Sequence, residues 1–301
     1  PKASGLWVHA FCSCLFAGCI CGERRAILAK RQWELLLQMA DLDIQYTDGP
    51  PTKPRMGGRD PGELRSLHVT PGFIGPADGS VLLELGRTRV ICAASLVDGV
   101  PGWRRGSREG WLTAEYSLLP ASTHQRTPRE ASRGRQDGRT VEIQRLIGRS
   151  LRAVVDFGAL GERTLYVDCD VIEADGGTRC AAVSGGYLAL HLALMKAVDE
   201  GRLRALPLAD SVAAVSVGVV AGMPILDLEY AEDAAADVDM NVVMTGAGKL
   251  IEVQATAEIV PFSREAFDQL LDLAEEGLRT ISAVQTEVIT DVYRSRAGRD
   301  G

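Results

Sequence analysis

Two short, mainly apolar stretches that lie close together in the chain are rich in residues that favour β-strands. The stretches are residues 80–85 and 88–96, and only Gly86 and Arg87 separate them. A two-residue connection containing glycine between two such stretches favours a tight turn. We therefore predict a β-hairpin at this position.

The spacing of apolar residues changes to that of a helix over residues 140–156. One face carries only apolar residues, namely Ile143, Leu146, Ile147, Leu151, Val154 and Val155. The opposite face carries Arg145, Arg149 and Arg152. Such a division is typical of an amphipathic helix that packs on a core.

Strand and helix patterns alternate through the rest of the chain. We predict strands at 163–172, 211–220, 224–229, 241–245 and 249–258, helices at 178–198 and 263–288, and a polar tail at 291–301. Mixed strands accompanied by three long helices indicate an α+β fold. We assign residues 55–290 to one folded domain.

Residues 1–54 differ from this pattern, and we predict a poorly ordered extension of unknown role. Residues 5–21 are almost wholly apolar but short for a membrane span, so a membrane anchor stays a minority alternative. A helix-like run at 24–39 and a Pro/Gly-rich linker at 48–54 follow. The pattern C-x-C-x4-C-x-C in this extension does not have the spacing of a zinc site. Three later cysteines in apolar surroundings favour a reduced, cytoplasmic protein without membrane association, namely Cys92, Cys169 and Cys180.

Charge is distributed unevenly along the 301 residues. The net charge is −7, which argues against a protein that coats nucleic acid through bulk electrostatics. Between Pro101 and Arg152, however, eleven arginines face five acidic residues, a local balance of +6. This segment favours a local site for a polyanion, although a salt-bridged surface has the same composition.

Two arginines stand at predicted helix starts, where anions bind readily. The first is Arg139, and the second, Arg179, follows a turn that contains Gly177 and Thr178. Free backbone N–H groups at a helix start attract phosphate, and a guanidinium group binds phosphate oxygens with two parallel hydrogen bonds. An ordinary capped turn would use the same residues, so neither motif is specific alone.

Two further segments carry chemistry that suits RNA. Asp233 and Asp239 lie in an acidic stretch between predicted strands, where a pair of carboxylates could bind Mg²⁺, although a solvated acidic turn is also possible. Upstream, a polar loop contains the candidate backbone contacts Arg126, Arg129 and Arg133. We interpret His124 in that loop as structural. Together these motifs indicate phosphoryl transfer involving a polyanion.

The same motifs, in this order, resemble the RNase PH family from about residue 57 to residue 288. The segments that carry the resemblance are GWLTAEY (110–116), GRTVEIQRLI (138–147), DCDV (168–171), ADGGTR (174–179), AAVSVG (213–218), DLEY (227–230), DMNVVMT (239–245) and IEVQ (251–254). Two positions depart from the family. Ala121 stands where an arginine is frequent, and Ser66 stands where proline is usual.

The resemblance implies an RNase PH fold, which is a β-α-β arrangement of the ribosomal protein S5 domain 2-like type. It also implies a homohexamer built as a trimer of dimers, and a phosphorolytic 3′→5′ exoribonuclease that trims tRNA precursors. Inorganic phosphate would be the co-substrate and nucleoside diphosphates the products.

Residue roles follow from the same resemblance. Orthophosphate would be bound by Arg139, Gly177, Thr178 and Arg179. Asp233 and Asp239 would hold Mg²⁺ or Mn²⁺, and Asp239 would also be the proton donor. RNA would be guided by Arg126, Arg129 and Arg133.

Two alternatives stay open from the sequence. One is a ring subunit of the same fold that binds RNA without catalysis, although the presence of every expected phosphate and metal residue argues against it. The other is a metal-dependent hydrolytic nuclease, which would not need phosphate and would release monophosphates.

Overall fold

A computed structural model of the chain describes residue 55, residues 58–258 and residues 260–297. All described residues belong to one compact unit. The extension predicted at residues 1–54, with its apolar run, helix-like run and four cysteines, lies outside the described residues apart from its boundary with Arg55.

The first half of this unit contains a five-stranded sheet. Its strands are β1 (Leu67–Pro71), β2 (Gly79–Leu85), β3 (Thr88–Asp98), β4 (Trp111–Leu118) and β5 (Arg163–Glu173). The spatial order is β1-β2-β3-β5-β4, with β4 and β5 parallel and all other pairs antiparallel. The predicted hairpin is confirmed, because β2 and β3 pair with Leu85 opposite Thr88.

The second half contains a four-stranded antiparallel sheet. Its strands are β6 (Val212–Val220), β7 (Met223–Leu226), β8 (Val238–Thr245) and β9 (Leu250–Ala257), in the order β7-β6-β8-β9. The α-helices of the described residues are α1 (Glu130–Arg133), α2 (Gly138–Arg152), α3 (Phe157–Leu160), α4 (Thr178–Asp199), α5 (Tyr230–Asp233) and α6 (Arg264–Ala297). Mixed sheets packed with helices confirm the predicted α+β class.

Helix α4 is the centre of the core. It packs against β2, β3 and β5 of the first sheet and against β6 of the second. Because it is surrounded, it is apolar on all sides rather than along one stripe. It is the one helix among the described residues that is both long enough and apolar enough to cross a membrane. However, 89 % of that stretch is buried inside the fold. Its apolar character is therefore that of a core helix.

The two remaining long helices cover the outer faces of this core. Helix α2 packs on β4 and α4 through Ile143, Ile147 and Leu151, as its period predicted. Helix α6 packs on β6, β7 and β8, with Leu270 and Leu278 among the residues buried there. The core thus joins both sheets through α4.

Several predicted boundaries were wrong, including the ends of three elements. Helix α6 continues to Ala297 instead of ending at 288, because Val292 packs on the core and Arg296 forms an ion pair with Asp199, so the start of the predicted tail is helical. Helix α2 ends at Arg152 instead of 156. Strand β7 ends at Leu226 instead of 229, because Asp227 adopts a positive φ of 55°.

Candidate active site

The turn between β5 and α4 is the structural centre of the site. Gly176 and Gly177 have φ angles of 78° and 67°, which side-chain-bearing residues rarely adopt. A Cβ atom on Gly176 would lie 2.5 Å from the carbonyl oxygen of Leu228. Glycine is therefore required, and the turn delivers the N-terminus of a 22-residue helix to the surface. The strand, glycine turn and helix predicted from the sequence are all present.

The first residue of α4 has a fixed hydroxyl group. Thr178 is buried, and its Oγ1 accepts a hydrogen bond of 2.9 Å from the hydroxyl of Tyr116 on β4. Burial raises the pKa of Tyr116, so this hydroxyl stays protonated and continues to donate. The proton of Thr178 remains available for an acceptor.

A cavity of about 640 Å³ opens in front of this turn. Four residues that the sequence predicted as site residues line it, namely Arg139, Gly177, Thr178 and Asp233. They come from α2, the glycine turn, α4 and α5, which are far apart in the chain. Arg139 is exposed and stands in the first turn of α2. Two helix starts therefore meet at one cavity.

Arg179 is held beside this cavity by polar partners. Its Nη1 donates to Oε1 of Gln254 at 2.8 Å and to Oε1 of Glu142 at 3.1 Å. Its positive charge partly offsets the rise that burial causes in the pKa of Asp233 and of Asp239. The predicted second arginine is thus close to the predicted carboxylates.

The carboxylate of Asp233 acts electrostatically on the carboxylate of Asp239. Burial and the negative charge of Asp233 raise the pKa of Asp239 to about 6, although Arg179 opposes the shift and the amide of Asn241 donates to both carboxylate oxygens at 3.3 Å. Burial also raises the pKa of Asp233, against the charges of Arg139 and Arg179. Burial therefore favours the protonated form of both carboxylates, and the charge of Asp233 adds to this effect at Asp239.

The donor set of this acidic site fits a hard divalent cation. Within the described residues, no group of three or more His, Cys, Asp or Glu side chains is arranged to hold a metal. A pair of carboxylates suits Mg²⁺, which keeps several waters and takes further ligands from substrate phosphates. Such a set does not suit a closed structural zinc site.

The predicted RNA contacts lie on an exposed segment at the edge of the cavity, with Arg126 in a loop, Arg129 just before α1 and Arg133 at the end of α1. Arg126, Arg129 and Arg133 are all exposed, and neighbouring Thr127 and Pro128 line the cavity. Arg133 forms an ion pair of 3.2 Å with Asp137 on the surface. Three exposed arginines therefore belong to the segment that borders the cavity, while Ala121 in the same segment adds no charge.

Sequence reasoning missed several residues around the site. His124, interpreted as structural, is exposed and lines the cavity with Tyr230, at 5.3 Å between ring centroids. Tyr116 lies within the segment GWLTAEY and Arg65 lies just before β1, and the sequence alone assigns neither a role in the site. No spacing pattern signals these residues, because their partners lie on other elements.

Two protein-family models together match most of the described chain. Residues 63–196 match domain 1 of the 3′ exoribonuclease family, and residues 210–277 match domain 2. One curated relative is a ribonuclease PH of Syntrophomonas wolfei, which is 56 % identical over 237 residues, covering 79 % of this chain and 98 % of the relative.

Solved structures with this fold come from eukaryotic and archaeal proteins. Rice Rrp46 is 20 % identical with a TM-score of 0.62, covering 77 % of this chain and 98 % of that protein. A chain of the Archaeoglobus fulgidus exosome with RNA bound to the active site is 22 % identical with a TM-score of 0.64, covering 85 % and 98 %. A chain of an archaeal exosome core is 20 % identical with a TM-score of 0.60, covering 88 % and 100 %. At these identities the likeness concerns the fold.

Proposed function

Because the chain belongs to the RNase PH family of 3′ exoribonucleases, it is a phosphorolytic 3′→5′ exoribonuclease, and we propose that the cavity at the start of α4 is its active site. One observation carries the proposal. Arg139, Gly177, Thr178 and Asp233 line that single cavity although they belong to separate elements. The cavity thus combines groups for an anion with a carboxylate for a metal.

In this proposal the anion groups overcome the repulsion between two phosphates. Two unit charges 4 Å apart repel by about 4 kcal/mol at an effective dielectric constant near 20. Arg139, the hydroxyl of Thr178 and the amides of the glycine turn would bind orthophosphate. Among the described residues, both hydrogen bonds of Arg179 use Nη1, so Nη2 and Nε remain to donate to the same phosphate.

The two carboxylates would act at the leaving group, which is the 3′ oxygen of the shortened RNA. Asp233 and Asp239 would hold Mg²⁺ or Mn²⁺. When bound, this ion supplies positive charge beside the scissile phosphate and the 3′ oxygen. Asp239 is also our candidate for the acid that protonates the 3′ oxygen.

The bonds exchanged make the reaction reversible. An oxygen of orthophosphate forms a bond to the terminal phosphorus, and the bond from that phosphorus to the 3′ oxygen breaks. The products are a nucleoside 5′-diphosphate and an RNA shortened by one nucleotide, whose new 3′ oxygen takes a proton. Exchange of a phosphate ester for an anhydride allows the reverse direction to run when diphosphate is in excess.

We extend the proposal to substrate, assembly and location. Arg126, Arg129 and Arg133 would grip the RNA backbone, and the substrates would include the 3′ ends of tRNA precursors. The chain would form a homohexamer as a trimer of dimers, as its membership of the RNase PH family implies. It would act in the cytoplasm, in keeping with the buried, free thiols of Cys92 and Cys169.

Substitution of the two central residues tests this assignment. Arg139→Ala and Asp239→Asn should each reduce the release of nucleoside diphosphate from a 3′-extended tRNA by at least about a hundredfold, the typical effect of removing a group that stabilises the transition state. Arg264→Ala, an exposed arginine on α6, is the matched control and should keep full activity. Circular dichroism checks that each variant is folded.

Two outcomes would contradict the assignment. Full turnover by folded Arg139→Ala or Asp239→Asn would remove these residues from the active site. RNA binding without turnover by the unaltered protein would favour the alternative of an inactive ring subunit.

A further inference from the structure

We propose that Arg65 and Thr88 are positioning residues that set the affinity of the enzyme for orthophosphate. They do so by holding the carbonyl groups of the Gly176–Gly177 turn from behind, so that its N–H groups face the cavity. The inference rests on the proposed phosphate site and assigns a role to two residues outside it.

Arg65 is buried at the back of the turn. Its side chain is 5 % exposed, and its Nη1 donates to the carbonyl oxygen of Asp175 while Nη2 lies 3.4 Å from the carbonyl oxygen of Gly176. A buried guanidinium group needs a negative partner, and Asp227 supplies it. The two carboxylate oxygens of Asp227 accept from Nη2 at 2.7 Å and from Nε at 2.9 Å.

Asp227 is itself fixed in an unusual conformation. Its φ angle is 55°, and its Oδ2 accepts a further hydrogen bond of 2.8 Å from the backbone N–H of Arg65. A positive φ at a residue other than glycine persists only where surrounding contacts hold it. Three hydrogen bonds to Arg65 are such contacts, so the pair acts as one rigid unit.

Thr88 holds the same turn from the first sheet. It is fully buried at the start of β3, and its hydroxyl donates to the carbonyl oxygen of Gly176 at 2.6 Å. The same Oγ1 accepts from the backbone N–H of Asp175 at 2.9 Å. Arg65 and Thr88 therefore converge on one peptide group from two directions.

The orientation of the turn follows from the planarity of the peptide bond. In a trans peptide the carbonyl of one residue and the N–H of the next point in opposite directions. When the carbonyl of Gly176 is drawn back toward Arg65 and Thr88, the N–H of Gly177 points away from them. Gly177 lines the cavity, so this N–H is directed to the anion site. The same reasoning applies to the carbonyl of Asp175 and the N–H of Gly176.

Loss of this support should weaken phosphate binding specifically. Thr88→Val is nearly isosteric and removes both hydrogen bonds, and Arg65→Met removes the charge and the fork. We expect each to raise the KM for orthophosphate between about tenfold and a hundredfold, the range expected when a binding group moves by a fraction of an ångström to 1 Å. The KM for RNA should change by less than about twofold. The KM of Arg65→Lys for orthophosphate should lie between the values for Arg65→Met and the unaltered protein. Lysine keeps the positive charge but lacks the several N–H donors of the guanidinium group.

A remote partly buried arginine supplies the control. Arg202 forms an ion pair with Asp78 at 3.3 Å, and it does not contact the turn. Arg202→Met should lower the melting temperature without changing the KM for orthophosphate. Initial rates at saturating RNA and varied phosphate, with circular dichroism of each variant, give all the required values.

Each possible result either supports or overturns the positioning role of Arg65 and Thr88. An unchanged phosphate KM in folded Thr88→Val overturns the inference, and so does an equal rise in Arg202→Met. If Arg65→Met fails to fold, Thr88→Val and Arg65→Lys provide the same test. An unaltered protein that shortens RNA without phosphate would refute the proposed phosphate site itself, whereas phosphate dependence with unchanged KM values refutes only the positioning role.

Discussion

His191 is a buried titratable residue far from the active site. It lies inside α4, its Nδ1 is 3.3 Å from the hydroxyl of Tyr187, and among the described residues its Nε2 has no hydrogen-bond partner. Burial lowers its pKa to about 4. The fold thus holds the neutral imidazole and resists its protonation.

This burial should make the stability of the protein depend on pH. The pKa of His191 is about 6.5 in the unfolded chain and about 4 in the fold, so the unfolded chain binds more protons between these values. Stability from this residue is therefore complete above pH 6.5 and is lost as the pH falls toward 4. Between pH 7.5 and pH 5 we expect a loss of about 2 kcal/mol from His191 alone.

Replacement of the imidazole separates this effect from the titration of carboxylates. His191→Gln keeps a partner for Tyr187 but does not titrate. Urea unfolding at pH 7.5 and pH 5 should show a smaller loss of unfolding free energy in the variant, by about 2 kcal/mol. An identical loss in both proteins would contradict the lowered pKa, because the imidazole of His191 would then be protonated as readily in the folded protein as in the unfolded chain.

Single residues of the site differ in how well the sequence could predict them. Arg139, Gly177, Thr178 and Asp233 could be proposed because each stands in a contiguous motif at an element boundary. Arg65 could not, because its function depends on carbonyl groups that lie about 110 positions further along the chain. Residues that act through another element leave no local pattern.

At the scale of elements, β2 and α4 approach more closely than side chains allow. A Cβ atom on Gly79 would lie 2.2 Å from the carbonyl oxygen of Ala189 and 2.3 Å from the backbone nitrogen of Ala193. Backbone atoms of a buried helix cannot move aside cheaply. The absence of a side chain at Gly79 is therefore a condition for packing the first sheet on α4.

Gly79→Ala should therefore be strongly destabilising. We expect a loss of about 3 kcal/mol or more of unfolding free energy, which exceeds ordinary overpacking because the clash is with backbone. Gly102→Ala is the matched control, since a Cβ atom there meets no atom within 4 Å, and it should change stability by less than about 0.5 kcal/mol. Equal melting temperatures for the two variants would contradict the close packing.

Element type was predictable where the hydrophobic period was long, and element ends were not. Helix α2 follows directly from its period, and the β2–β3 hairpin follows from two strand-favouring stretches joined by Gly86 and Arg87. The end of α6 depends on Val292 and Arg296 meeting α4 and the core, which is a tertiary contact. The end of β7 depends on the bonds between Asp227 and Arg65.

At the scale of the whole molecule, one helix connects two sheets and presents its start to the cavity. Sequence could supply the α+β class, but it could not supply the pairing of β4 with β5, because no strand is predicted over Trp111–Leu118. That pairing places Tyr116 of β4 beside Thr178, which follows β5. The site therefore depends on a topology that no local pattern reveals.

The dependence of RNA shortening on orthophosphate tests the account most directly. The unaltered protein is incubated with Mg²⁺ and a 3′-extended tRNA, with and without phosphate, and the released mononucleotides are identified by chromatography. We expect nucleoside 5′-diphosphates in the presence of phosphate and no shortening in its absence. Equal shortening in phosphate-free buffer, with monophosphates released, would contradict an active site built to hold orthophosphate.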